Sequence, residues 1–95
     1  MIVLIANLKV AEGKGNDVIE AFKQVVPKIR QDPGTVSYNI LQAADDPDKI
    51  TVLEKYENLE ALQYHGQTEH FREFGRSSRD LFAGRAELTR YEEVV

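Results

Sequence analysis

The chain has 95 residues, enough for a small hydrophobic core, and we expect residues 1–95 to form one domain. Its formal net charge of −4 argues against a nucleic-acid partner, because neutralising phosphates requires a concentrated basic surface. The absence of cysteine excludes disulfides, a thiolate nucleophile and a cysteine-based zinc site, and it is in keeping with a cytoplasmic protein.

The first predicted element is a strand over residues 2–10, which are rich in Ile, Val and Leu. This stretch lacks the basic segment and cleavage site of a signal peptide, and Lys9 interrupts it far short of a membrane span. We therefore expect no membrane partner. Asn7 interrupts the apolar odd-numbered set that begins with Val3 and Ile5, so its amide needs polar partners if that face is covered.

A helix is predicted next, with Asn16 as its N-cap. Five apolar residues at helical spacing predict one buried stripe, formed by Val18, Phe22, Val25, Val26 and Ile29. Pro27 predicts a bend rather than an end, since the stripe continues beyond it. The helix is expected to stop at residues 32–34, Asp-Pro-Gly.

Three strands and a second helical region complete the chain. Residues 35–43 alternate in polarity, with one apolar face formed by Val36, Tyr38 and Ile40. An acidic turn at residues 45–48 and strand composition from Ile50 predict a hairpin. Asn58 and Thr68 are expected to cap two successive helical pieces, separated by a break at residues 66–68, and residues 85–93 form a last strand.

The order β-α-β-β-α-β predicts an α+β, ferredoxin-like fold, with an antiparallel sheet and helices on one of its faces. The other face would carry Val3, Ile5 and their neighbours, a larger apolar patch than a monomer usually exposes. We therefore expect a homodimer that packs sheet against sheet.

Both histidines lie in the second helical region. His65 falls on an apolar helix face, where a half-buried structural histidine is the ordinary interpretation. His70 begins the next helical piece, where the helix dipole favours a neutral ring that can act as a base. The two lack the spacing of helical metal ligands, and we expect no metal site.

Three strand residues are further candidates for a site. Glu54 shares a strand face with Ile50 and Val52, so its carboxylate is either ion-paired or functional. Tyr56 and Tyr38 are suited equally to a core and to the wall of a pocket for a flat ring.

Four blocks of the chain together resemble the antibiotic biosynthesis monooxygenase (ABM) domain. They are Glu-Gly-Lys at 12–14, Glu-Ala-Phe at 20–22, Asp-Pro-Gly-x-x-Ser-Tyr at 32–38, and the Glu54 to Phe71 block that includes both histidines. The resemblance implies a dimeric α/β-barrel and, from its quinol-monooxygenase-like members, oxidation of an electron-rich aromatic substrate with O2 and no cofactor. It also implies catalytic bases at His65 and His70, and substrate contacts from Asn7, Tyr38, Glu54, Tyr56 and Phe71.

Two other functions stay open at this point. A second subgroup with the same histidine spacing resembles proton-shuttling isomerases of a phosphorylated autoinducer-type sugar. A dimeric small-molecule-binding protein without catalysis is the third interpretation. The haem-degrading branch is discounted, because its helix histidine would fall near Gly75 and the chain has no tryptophan.

Overall fold

The structure is a computed structural model that describes residues 1–95. In chain order its elements are β1 (Ile2–Asn7), α1 (Gly15–Ile29), β2 (Thr35–Ala43), β3 (Asp46–Tyr56), α2 (Leu59–Gln67), α3 (Glu69–Ser77), a 3-10 turn (Arg79–Leu81) and β4 (Glu87–Glu92). All neighbouring strands are antiparallel, in the order β2-β3-β1-β4. The predicted ferredoxin-like α+β fold is confirmed.

Helix α1 packs on the sheet through its apolar stripe. All five stripe residues are buried, and the helix continues through Pro27 to Ile29 as predicted. The prediction for its start is wrong, because Asn16 lies inside the helix and accepts a hydrogen bond from Gln42. The Asp48 carboxylate caps this end instead, accepting 2.8 Å hydrogen bonds from the backbone N–H groups of Gly13 and Gly15.

Several strand boundaries differ from the sequence prediction. Strand β1 ends at Asn7, three residues early, while β3 begins at Asp46, four residues early, because the β2-β3 hairpin pairs Ala43 with Asp46 across a tight turn. Strand β4 is shorter than residues 85–93. A register shift between Thr35 and Ser37 turns Val36 outward, where it is 45% exposed, so Val36 does not share the buried face of Tyr38.

The two short helices begin at the predicted caps. The Asn58 side chain accepts a 2.9 Å hydrogen bond from the backbone N–H of Ala61, and the Thr68 hydroxyl accepts one of 3.2 Å from Phe71. The break falls at Thr68 alone, since Gly66 is still part of α2. These caps place α2 and α3 end to end without making them one helix. His65 lies in α2 and His70 in α3, one on each side of the junction.

The sheet has two different faces. Even-numbered positions of β1 and β3 point toward the helices, and Ile2, Ala6, Ile50, Val52 and Tyr56 are all buried there. The opposite face, called here the outer face, carries the partly exposed residues Val3, Ile5 and Leu53. None of the helices has the length and apolar character needed to cross a membrane.

Candidate functional site

A cavity of about 330 Å³ lies between the sheet and the second helical region. Its wall is mostly apolar and contains five aromatic rings, those of Phe22, Tyr38, Phe71, Phe74 and Phe82. The Glu54 carboxyl and the His65 imidazole also line the cavity. A larger groove of about 540 Å³ lies on the surface between α1 and α3, but it contains neither of these buried groups. The cavity is therefore the candidate site.

Glu54 reaches the cavity because β3 alternates regularly. Its side chain shares the buried face with Val52 and Tyr56 and is only 5% exposed. The Tyr56 hydroxyl donates a 2.6 Å hydrogen bond to Glu54 Oε1. Burial raises the pKa of Glu54 from 4.5 to about 7, while the hydrogen bond from Tyr56 acts in the opposite direction. This carboxyl group can therefore exchange a proton near neutral pH.

His65 reaches the same cavity from α2. The ring is 4% exposed, and its centroid lies 4.3 Å from that of Phe71, 5.4 Å from Tyr38 and 5.7 Å from Tyr56. His65 Nε2 lies 4.0 Å from Glu54 Oε1. Burial lowers the pKa of His65, and the negative charge of Asp32 opposes that effect. The geometry thus pairs a buried carboxyl with an imidazole whose neutral form is favoured.

Asp32 is a part of this cluster that the sequence analysis missed. In the sequence it is part of a predicted helix stop and of one family block, without a role in the site. It is 8% exposed, and its Oδ2 lies 3.8 Å from His65 Nδ1 and 3.0 Å from His70 Nε2. Nothing local in the sequence distinguishes it, because the contact with His70 spans 38 positions. The burial of an acid beside two histidines is visible only in the folded chain.

His70 does not line the cavity. Its side chain is 23% exposed and faces the surface groove between α1 and α3, with only Asp32 linking it to His65. The two histidines therefore do not line one cavity, and a catalytic role for His70 stays a prediction. Placed after the Thr68 cap, His70 lies on the side of α3 that contacts the end of α1 rather than the sheet.

Asn7 also lies apart from the cavity. It is on the outer face, where its side-chain oxygen accepts a 2.8 Å hydrogen bond from the Thr51 hydroxyl. Asn7 therefore does not line the cavity, because odd-numbered β1 residues point away from the helices, and the substrate contact that the resemblance implies for it stays a prediction. Tyr56 is fully buried behind Glu54 and does not line the cavity, whereas Tyr38 and Phe71 form part of its wall.

The backbone of β2 at Tyr38 is held from the end of α1. The Arg30 guanidinium donates two hydrogen bonds to the Tyr38 carbonyl, of 3.0 and 3.2 Å, and so joins the helix end to β2. Burial raises the pKa of both Tyr38 and Tyr56, so both phenols stay protonated at neutral pH. No group of three or more His, Cys, Asp or Glu side chains is arranged to hold a metal ion. The chemistry available to the wall is proton transfer between Glu54, His65 and a bound molecule.

Solved structures with the same fold cover the whole chain. One, from Nitrosomonas europaea and provisionally named an antibiotic biosynthesis monooxygenase, has a TM-score of 0.94 and 25% identity, with 100% of both chains covered. Another so named, from Caulobacter crescentus, has a TM-score of 0.90 and 26% identity, covering 99% of this chain and 90% of that one.

Two proteins are similar in sequence. An uncharacterised protein of Synechocystis sp. is 33% identical over 91 residues, which are 96% of this chain but only 62% of that protein. YcnE of Bacillus subtilis, which carries a provisional monooxygenase name, is 26% identical and 97% of each chain is covered. The family model described as antibiotic biosynthesis monooxygenase matches residues 1–77, including α1, the Asp32 turn, Glu54 and both histidines. The chain therefore belongs to the antibiotic biosynthesis monooxygenase family.

Proposed function

We propose that the protein is a cofactor-independent monooxygenase that oxidises a quinol-like aromatic molecule with O2. The observation that carries this proposal is the pairing of Glu54 and His65 in the wall of an otherwise apolar, aromatic cavity. Aromatic walls suit a flat ring, and a carboxylate with a pKa near 7 suits the removal of a phenolic proton. Membership of the family supports the monooxygenase class.

In the proposed reaction, the Glu54 carboxylate takes the proton of a substrate hydroxyl. His65, whose Nε2 lies 4.0 Å from Glu54 Oε1, is the second group that can accept this proton. The resulting anion is rich enough in electrons to reduce O2 directly. For a quinol with a free ring position, one oxygen atom enters the ring and the other leaves as water, so quinol and O2 give a hydroxyquinone and water. The substrate supplies all four electrons, and the protein supplies the base and an apolar environment that excludes bulk water.

The alternative of a phosphorylated sugar is less well supported. The residues that line the cavity include the Glu54 carboxyl but neither lysine nor arginine, the side chains that usually bind phosphate. The apolar surface contributed by residues such as Leu62 and Phe74 also suits an aromatic ring better than a polyol. Isomerisation and ligand binding without catalysis would each give a result distinct from O2 consumption with quinols.

We also propose that the protein is a homodimer that packs through the outer face. The outer face carries a groove that includes Val3, Ile5, Leu53 and the half-exposed Tyr91. Covering these side chains with a second copy of the sheet would remove apolar surface from water. We also propose a cytoplasmic location, in keeping with a chain that has no cysteine.

The test is O2 consumption with a panel of substituted hydroquinones, using protein freed of metals and flavin. Wild-type protein should consume one O2 per quinol, and 18O2 should place one labelled atom in the product. Glu54→Gln should lower kcat by about a hundredfold or more, since general base catalysis typically contributes that much. Glu12→Gln, at an exposed loop position, is the matched control and should leave kcat unchanged.

Three results would overturn the proposal. They are full turnover by Glu54→Gln, strict dependence on added metal or flavin, and solvent deuterium entering a sugar phosphate with no O2 uptake. Saturable binding of quinols without any O2 consumption would equally count against catalysis and favour a binding protein.

A further inference from the structure

One oxygen atom of Asp32 lies between the two histidine rings. Asp32 Oδ2 is 3.0 Å from His70 Nε2, within hydrogen-bond distance, and 3.8 Å from His65 Nδ1, slightly beyond it. His65 Nδ1 is buried and has no hydrogen-bond partner. A buried polar atom without a partner is uncommon and costly, and Asp32 is the acceptor nearest to satisfying it.

We infer that Asp32 and His70 are positioning residues for His65. The Asp32 carboxylate favours the His65 tautomer that carries its proton on Nδ1, which leaves the Nε2 lone pair facing Glu54 and the cavity. His70 is partly exposed at the surface and holds Asp32 in place through their 3.0 Å contact. A positive charge on His70, when it is protonated, acts on the buried His65 ring. Only the effect on turnover rests on the proposed function; the tautomer and its control by Asp32 do not.

The tautomer follows from the two neighbours of the ring. A neutral imidazole has one N–H, and an ionised carboxylate attracts it. Glu54 holds its proton up to about pH 7, because burial raises its pKa, and its Oε1 already accepts the Tyr56 hydroxyl, whereas Asp32 Oδ2 lies 3.8 Å from His65 Nδ1. While the ring is neutral and Glu54 still holds its proton, the N–H is therefore more stable on the Asp32 side. A ring movement of about 1 Å would complete the hydrogen bond.

The groups around each ring define what a titration reports. His65 is faced by Glu54 and Tyr56 from β3, Tyr38 from β2, and Asp32 from the α1-β2 connection, with His70 of α3 acting as a second positive group when protonated. The groove around His70 also contains three charged residues, Lys28, Glu69 and Glu73. Protonation of His70 thus opposes protonation of His65. Removing the Asp32 carboxylate removes the main negative charge that favours protonation of His65.

The test is a pH titration of the histidine rings by 15N NMR, which is simple because the chain has only two histidines. In wild-type protein near pH 7, His65 should show a protonated Nδ1 and a bare Nε2. Asp32→Asn should weaken this preference and lower the pKa of His65 by about one pH unit or more, since a carboxylate at this distance shifts a pKa by that amount. His70→Gln keeps a donor for Asp32 but removes the imidazole whose charge lowers the pKa of His65, so it should raise the pKa of His65.

Asp45→Asn, at an exposed turn position without hydrogen-bonded partners, is the matched control and should change neither ring. A wild-type His65 protonated on Nε2, or identical His65 titrations in Asp32→Asn and Asp45→Asn, would overturn the inference. If Asp32→Asn does not fold, the wild-type tautomer and the direction of the His70→Gln shift still decide it.

Turnover gives a second readout. Asp32→Asn should lower kcat for quinols by about tenfold or more and shift its pH profile, with little change in KM, because the residue does not touch the cavity. Unchanged kcat and pH profile beside an altered tautomer would refute the catalytic part of the inference. Failure of every quinol to react would refute the proposed function, while the NMR result would still judge the positioning of His65.

Discussion

Replacing Tyr56 by phenylalanine isolates the hydrogen bond that governs Glu54. Tyr56 is fully buried, and phenylalanine fits the same space. The substitution removes only the hydroxyl, which donates a 2.6 Å hydrogen bond to Glu54 Oε1. A hydrogen bond to a charged acceptor contributes about 1.5–3 kcal/mol, which corresponds to about one to two pH units. Because this bond lowers the pKa of Glu54 from what burial alone would give, Tyr56→Phe should raise it from about 7 to roughly 8–9.

The same shift predicts how stability depends on pH. The pKa of Glu54 in the folded protein, about 7, is above its ordinary value of 4.5, so the folded state keeps a proton that the unfolded state has lost. The free energy of unfolding of the wild-type protein should therefore fall by about 3 kcal/mol, if Glu54 acts alone, as pH rises from about 4.5 to 7. Above that pH it should level off. In Tyr56→Phe the fall should continue to a pH of roughly 8–9.

Two measurements check this reasoning. Urea unfolding between pH 4 and pH 10 should show the decline in the variant extending beyond that in wild type, and the rising limb of kcat/KM should move to higher pH by the same amount. Tyr64→Phe, which alters a half-exposed tyrosine, is the control and should match wild type. A stability profile and activity limb that both coincide with wild type would refute the assignment of Glu54 as the titrating base.

Two further predictions concern the scaffold and its assembly. Asp48→Ala removes both side-chain acceptors at the start of α1 and should lower the free energy of unfolding by about 1–2 kcal/mol, measured by urea unfolding; a loss no larger than that of Asp45→Ala would contradict this capping role. Ile5→Lys places a charge on the outer face and should convert the proposed dimer to monomers, measured by light scattering, while keeping a native circular dichroism spectrum. Gln63→Lys, at an exposed α2 position, is its control, and an intact Ile5→Lys dimer would place the interface elsewhere.

The sequence predicted most of the fold because its signals were local. Helical spacing identified the α1 stripe, and residue chemistry identified the caps at Asn58 and Thr68, which depend on contacts three residues apart. The period of two in β3 placed Glu54 on the buried face, which is the part of the candidate site that needed no tertiary information.

The alternation of β1 already indicates where Asn7 lies. It belongs to the same odd-numbered set as Val3 and Ile5, so its position on the outer face follows from the period of two. Val36 was different, because the irregularity in β2 that turns it outward has no distinct sequence signal.

Other features depended on the tertiary structure alone. The Asp48 cap joins residues 33 and 35 positions apart, and the Asp32 contact with His70 joins residues 38 apart. Local propensity carries no information about such distances, because they are set by how the helices pack on the sheet. By itself the sequence determined the buried stripe of α1 and the buried face of β3. Only the packing of the α1 end against the α2-α3 junction decided that Asp32 lies between the two histidines.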